Sequence, residues 1–124
     1  MSLLAVRGLQ VHYGGIRAVK GIDLAMAEGE LVALIGANGA GKSSTLRALS
    51  GLVGAEGELR YDGADIRALP AHRRARSGLV MVPEGRGVFA QLSVDENLTV
   101  GTYAAADRLA DAEAIRARVF EFFP

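Results

Sequence analysis

Gly36-Ala37-Asn38-Gly39-Ala40-Gly41-Lys42-Ser43 is the stretch on which the reading of this chain turns. It fits the phosphate-binding loop pattern G-x-x-x-x-G-K-[ST] at every fixed position. Each position answers a physical demand. Glycines let the backbone turn tightly and approach a phosphate with no Cβ in the way. Successive N–H groups then form an anion-binding nest, backed by the positive end of the following helix. Lys42 supplies a mobile point charge for the outer phosphates, and Ser43 a hydroxyl for Mg²⁺.

The flanks supply the context that the motif requires. Leu31-Val32-Ala33-Leu34-Ile35 is a continuous apolar run, which predicts a buried parallel strand. Beyond the loop, Leu46, Leu49 and Val53 repeat at helical spacing, and Gly51 and Gly54 are stop signals. The chain has only two lysines, Lys20 and Lys42, and one falls where the loop needs it.

Further out, Leu9, Val11 and Tyr13 alternate with Gln10 and His12, as in a half-buried strand that Gly14-Gly15 ends. Ile22, Leu24 and Met26 alternate likewise before a turn at Glu28-Gly29-Glu30. Residues 58–61 read as a short strand closed by an Asp62-Gly63 turn. Pro70 fits the first position of a helix running to about Ser77. Leu79-Val80-Met81-Val82 predicts a second buried strand, which Pro83 stops. Ser93-Val94-Asp95-Glu96 is a capping box opening a helix. A longer helix starts near Arg108, with Leu109, Ile115, Val119 and Phe122 on one stripe. Strands at the front and helices at the back, around a phosphate loop, make the fold α/β or α+β.

Composition narrows the function classes. The chain has 124 residues, enough for one domain or part of one, and half of them are apolar, enough for a core. Fourteen basic and fourteen acidic residues leave no net field to draw nucleic acid or an anionic membrane. With no cysteine there is no disulfide framework, thiolate metal site or Cys nucleophile, which suits a reducing cytosol. Met1-Ser2-Leu3-Leu4-Ala5 lacks the pattern of a secretory signal, and no apolar run approaches the roughly 20 residues that span a bilayer.

Outside the loop, two residues could carry chemistry. Tyr13 is either a stacking face for a base or the last core residue of its strand. Glu84 either faces a bound Mg²⁺ or its water, or is a solvated loop acid. His12 and His72 have no partner pattern and read as surface residues. Arg73, Arg74 and Arg76 read as a solvated basic face.

Taken together, the motifs resemble the ATP-binding cassette family, the nucleotide-binding subunits of ABC transporters. Val11-His12-Tyr13-Gly14-Gly15, followed by residues 18–24, resembles its aromatic loop and second strand. Residues 34–46 are close to its phosphate loop throughout, the Asn included. Val82-Pro83-Glu84-Gly85-Arg86-Gly87-Val88-Phe89, running into residues 92–98, looks most like the ATPases of branched-chain amino-acid importers. The resemblance covers the whole chain.

It implies an α/β fold: a P-loop NTPase core with N-terminal antiparallel strands. A nucleotide-binding core would occupy residues 1–92, and the start of a helical subdomain residues 93–124. ATP and Mg²⁺ would be the cofactors. Tyr13 would stack on adenine, and Gly36, Asn38, Gly39, Ala40, Gly41, Lys42, Ser43 and Ser44 would wrap the phosphates. Lys42 and Glu84 would take part in catalysis, and Ser43 and Glu84 would face Mg²⁺. Most of the family has Gln where this chain has Glu84, and an ionised carboxylate donates no hydrogen bond but pairs more strongly with a cation.

The implied partners are a second cassette, membrane permease subunits reached through the loop around Glu84, and, indirectly, an extracytoplasmic binding protein. Nucleic acid is not among them. The implied location is the cytoplasmic face of the membrane. The family's Ser-Gly-Gly signature, its strand ending in Asp-Glu and its switch histidine do not occur in the 124 residues. The expectation is therefore the first half of a cassette, ending within its helical subdomain and inactive alone. Two rivals stand beside it. A stand-alone GTPase or small-molecule kinase would need a guanine-reading motif or an acceptor site, and the sequence shows neither. A non-catalytic fragment would bind a partner cassette through Phe120 and Phe122.

Overall fold

The structure, a computed structural model, describes residues 2–37, 41–103 and 109–124, with the backbone alone given for 109 and 110. Contacts divide it into two units, Met1–Met81 and Val82–Pro124.

The first unit is built on a four-stranded antiparallel sheet in the order β2-β1-β3-β4. Its strands are β1 (Leu4–Tyr13), β2 (Ile16–Met26), β3 (Glu56–Tyr61) and β4 (Ala64–Asp65). β1 begins five residues earlier than its alternation at 9–13 suggests, because the pattern changes phase. Leu4 and Val6 are buried, and so are Leu9 and Val11, so one extra residue intervenes. The register slips there, and Gly8 takes φ 60, the left-handed conformation of a β-bulge. The Gly8 N–H donates to Asp23 Oδ1 at 2.7 Å, so a carboxylate on β2 satisfies the donor that the bulge turns aside.

Helix α1 (Lys42–Ser50) lays Ala48 and Leu49 on this sheet beside Leu4, Val6, Leu9, Val11, Val19, Leu59 and Ile66. Gly51 closes it in the left-handed conformation, as the stop signal requires. Helix α2 (Ala71–Arg76) follows Pro70, which stands at the cap.

Arg74 corrects the reading of a solvated basic face. It is 5% exposed, and its guanidinium donates to four backbone carbonyls. Nη1 reaches Ala48 O at 2.8 Å and Leu49 O at 3.0 Å, Nε reaches Leu69 O at 2.9 Å, and Nη2 reaches Arg67 O at 3.3 Å. Burial pushes its pKa below the usual arginine value. The signal for this was helical spacing: Arg74 shares a face with the half-buried Ala71 and Ala75.

Two predicted strands are not formed. Residues 31–35 are irregular, with Leu31 96% and Ile35 95% exposed, and residues 79–82 are likewise unpaired. An apolar run becomes a parallel strand only with neighbours at its edges and layers on its faces. Among the described residues no strand lies beside either run.

In the second unit, Ser93 caps α3 (Val94–Gly101), its hydroxyl accepting from the Glu96 N–H at 3.0 Å. The Asn97 side chain accepts from the Phe89 N–H at 2.9 Å and donates to the carbonyls of Phe89 at 3.1 Å, Leu92 at 3.3 Å and Ser93 at 2.8 Å. Helix α4 (Leu109–Phe122) joins α3 through Arg116, which pairs with Asp95 and donates to Thr99 Oγ1. Of the stripe expected on α4, Ile115 and Phe122 are exposed and Val119 is half-buried, while the Leu109 side chain lies outside the described residues. Among the described residues, no helix is long and apolar enough to cross a membrane.

Candidate phosphate-binding site

The site forms where α1 begins. Gly41 is the cap residue, with φ 95 and ψ 10, and its carbonyl accepts from both the N–H and the Oγ1 of Thr45, each at 2.8 Å. A Cβ at Gly41 would lie 2.6 Å from the Ala18 carbonyl oxygen and 3.2 Å from Val19 Cγ2. The glycine is therefore required twice, by its backbone angle and by the closeness of β2. Buried Thr45 was not singled out from the sequence. A helical Thr four residues after a loop carbonyl is the signal for such a bond.

Lys42 follows directly, and its Nζ donates to the Gly36 carbonyl at 2.5 Å, spanning the mouth of the loop. Ser43 is exposed, and Ser44 is half-buried on the same turn. Among the described residues no side chain caps the first turn, and no acidic residue lies in it. The helix start thus combines about half a positive charge from the peptide dipoles, an ammonium and two hydroxyls. That donor set suits an anion and repels a cation standing alone.

Tyr13 is placed by the hairpin. It pairs with Ile16, two residues along β2 from Ala18, a rise of roughly 7 Å. Its side chain is 41% exposed, so it is not the buried end of the core. The structure therefore brings Gly36, Gly41, Lys42, Ser43 and Ser44 to one end of α1 and sets Tyr13 on the adjoining hairpin. Asn38, Gly39 and Ala40 lie outside the described residues.

Glu84 belongs to the second unit and is exposed. The next three residues, Gly85, Arg86 and Gly87, all have positive φ, and the Gly87 N–H donates to the Gly85 carbonyl at 2.9 Å. That bond closes a γ-turn on Arg86, a strained conformation for a residue with a side chain. Among the described residues no group of His, Cys, Asp and Glu could hold a metal by itself. The donors fit Mg²⁺ in another way: one hydroxyl from Ser43, completed by phosphate oxygens and water, is how this ion is commonly held beside a nucleotide.

A family model described as "ABC transporter" matches residues 19–121, most of the chain. The chain belongs to the ABC transporter family. Among relatives of this ABC chain, the high-affinity branched-chain amino acid transport ATP-binding protein BraG of Pseudomonas aeruginosa is 38% identical over 123 residues, covering 98% of the chain and 52% of that protein. The lipopolysaccharide export system ATP-binding protein LptB of Escherichia coli is 39% identical over 99 residues, covering 79% of the chain and 41% of that protein. A solved ATP-binding subunit of an ABC transporter superposes with a TM-score of 0.69 at 27% identity, covering 85% of the chain and 43% of the solved one. The ABC chain thus spans about half the length of these relatives or less. The α/β cassette fold and the family read from the motifs are both borne out.

Proposed function

We propose that the chain is the ATP-binding portion of a transporter ATPase that couples ATP hydrolysis to import of branched-chain or other hydrophobic amino acids. The observation carrying this reading is the first turn of α1, which no described side chain caps, with the Lys42 ammonium on the Gly36 carbonyl. Lys42 would hold the outer phosphates, and the first-turn amides with Ser43 and Ser44 would surround them. Ser43 and Glu84 would face Mg²⁺, which when bound supplies charge neutralisation at the γ-phosphate. Tyr13 would stack on adenine. Residues 1–92 would serve as the nucleotide-binding core and 93–124 as the start of a helical subdomain. In a full-length protein, two cassettes would enclose two ATP molecules against permease subunits on the cytoplasmic membrane face, the loop around Glu84 meeting the permease. The branched-chain assignment is supported by BraG, while LptB shows that similar identity accompanies a different cargo.

Leu31 and Ile35, both almost wholly exposed, support a reading in which a longer polypeptide provides the strands that pair with the run at 31–35. Titration with ATP, GTP and Mg²⁺ tests the proposal. The expected result is weak binding that favours ATP and is lost in Lys42→Ala, with almost no turnover. Equal binding by Lys42→Ala would overturn the site. Turnover of about one per second, abolished by the same change, would overturn the inactivity of the chain alone.

A further inference from the structure

Helix α1 is held by little surface. Thr45, Ala48 and Leu49 are its buried residues, while Leu46 and Arg47 face outward. Two fixed points compensate. At its start Gly41 abuts the Ala18 carbonyl, and at its end Arg74 grips the carbonyls of Ala48 and Leu49. The same guanidinium grips Leu69 and Arg67, so the last turn of α1 is tied to the segment leading into α2. Among the described residues no carboxylate pairs with Arg74. Its charge is met instead by carbonyl dipoles, including the negative end of α1. A nine-residue helix is a rod of about 13 Å, so a tilt at one end moves the other.

We propose that Arg74 is a positioning residue for nucleotide binding, acting through α1 to fix the first turn that carries Lys42 and Ser43. The proposal rests on the phosphate-binding reading of that turn. A lysine would keep the charge but not the planar fork that reaches carbonyls on both sides. Misplacing the first turn by a fraction of an ångström weakens every phosphate contact together, since all of them arise from one rigid end.

The test is ATP titration of the full chain with Mg²⁺, together with amide ¹H–¹⁵N spectra, for wild type, Arg74→Gln and Leu59→Ala. Leu59 is buried in the sheet and serves as a control for lost stability. The expected result for Arg74→Gln is a Kd raised about tenfold with shifted Lys42 and Ser43 amide signals. Folded Leu59→Ala, which loosens the core beside Ala48 and Leu49 but leaves the Arg74 bonds in place, is expected to move both less than Arg74→Gln does. If Arg74→Gln does not fold, Arg74→Lys is expected to show the same shifts with a Kd raised about threefold. A folded Arg74 variant with wild-type Kd and unmoved signals would overturn the proposal, as would equal shifts in Leu59→Ala. If wild type binds no ATP, the nucleotide reading falls, while the amide signals still decide whether Arg74 sets the first turn.

Discussion

Gly41→Ala puts the local logic of the site under the most direct strain. The residue sits at φ 95, where an L side chain costs about 1–2 kcal/mol. The new Cβ would also meet the Ala18 oxygen at 2.6 Å. That oxygen belongs to β2 between Val19, paired with Val11, and Arg17, paired with His12, so it has little room to retreat. Overpacking of this kind costs about 1–3 kcal/mol. The combined expectation is about 2–5 kcal/mol, a large share of the roughly 5–15 kcal/mol by which domains are stable. Urea unfolding measures it globally. Hydrogen exchange at Thr45, whose N–H donates to the Gly41 carbonyl, reads it locally. If the loop shifts rather than the strand, Thr45 exchange rises about tenfold for each 1.4 kcal/mol, even where the global loss is smaller. A variant within about 0.5 kcal/mol of wild type, with unaltered Thr45 exchange, would show that the tight cap is not imposed by the neighbouring strand.

Three further outcomes are expected. Asn97→Leu removes one acceptor and three donated bonds from the 89–93 loop, so proteolysis within that loop should accelerate, with about 1–3 kcal/mol lost from the second unit; unchanged cleavage would count against the staple. Leu59→Ala empties the centre of the first unit and should cost about 2–5 kcal/mol in urea unfolding. The Arg67 side chain and N–H, bonding to Asp65, hold that carboxyl below its ordinary value. The folded value is the lower one, so the contribution is present above about pH 4 and fades as acid carries the pH through the folded value. In Arg67→Ala, an NMR titration should find the Asp65 midpoint moved upward; an unmoved midpoint would sever the link.

The parts of the structure legible in the sequence were those set by neighbours a few residues away. The loop could be read because Gly41, Lys42 and Ser43 each meet a local demand, and the Ser93 cap because its partner Glu96 is three residues on. Other features depend on distant partners. The alternation of β1 reads cleanly only from Leu9, since Gly8 inverts the phase and β2 alone provides the acceptor that makes the bulge stable. The run at 31–35 is apolar enough to be buried, but apolarity does not say against what. Arg74 looked like one arginine among three, because the carbonyls it binds lie up to 26 residues away. For the site, Lys42 was evident, whereas the placement of Tyr13 on the adjoining hairpin follows from the strand register.

The bond from Lys42 to the Gly36 carbonyl has a consequence for how any phosphate arrives. The ammonium already has an oxygen to hold, so an incoming ligand competes with the protein's own backbone for the same proton donor. Measured affinity is then a difference between two attachments, and a change that loosens residue 36 could tighten binding without adding a single contact to the ligand.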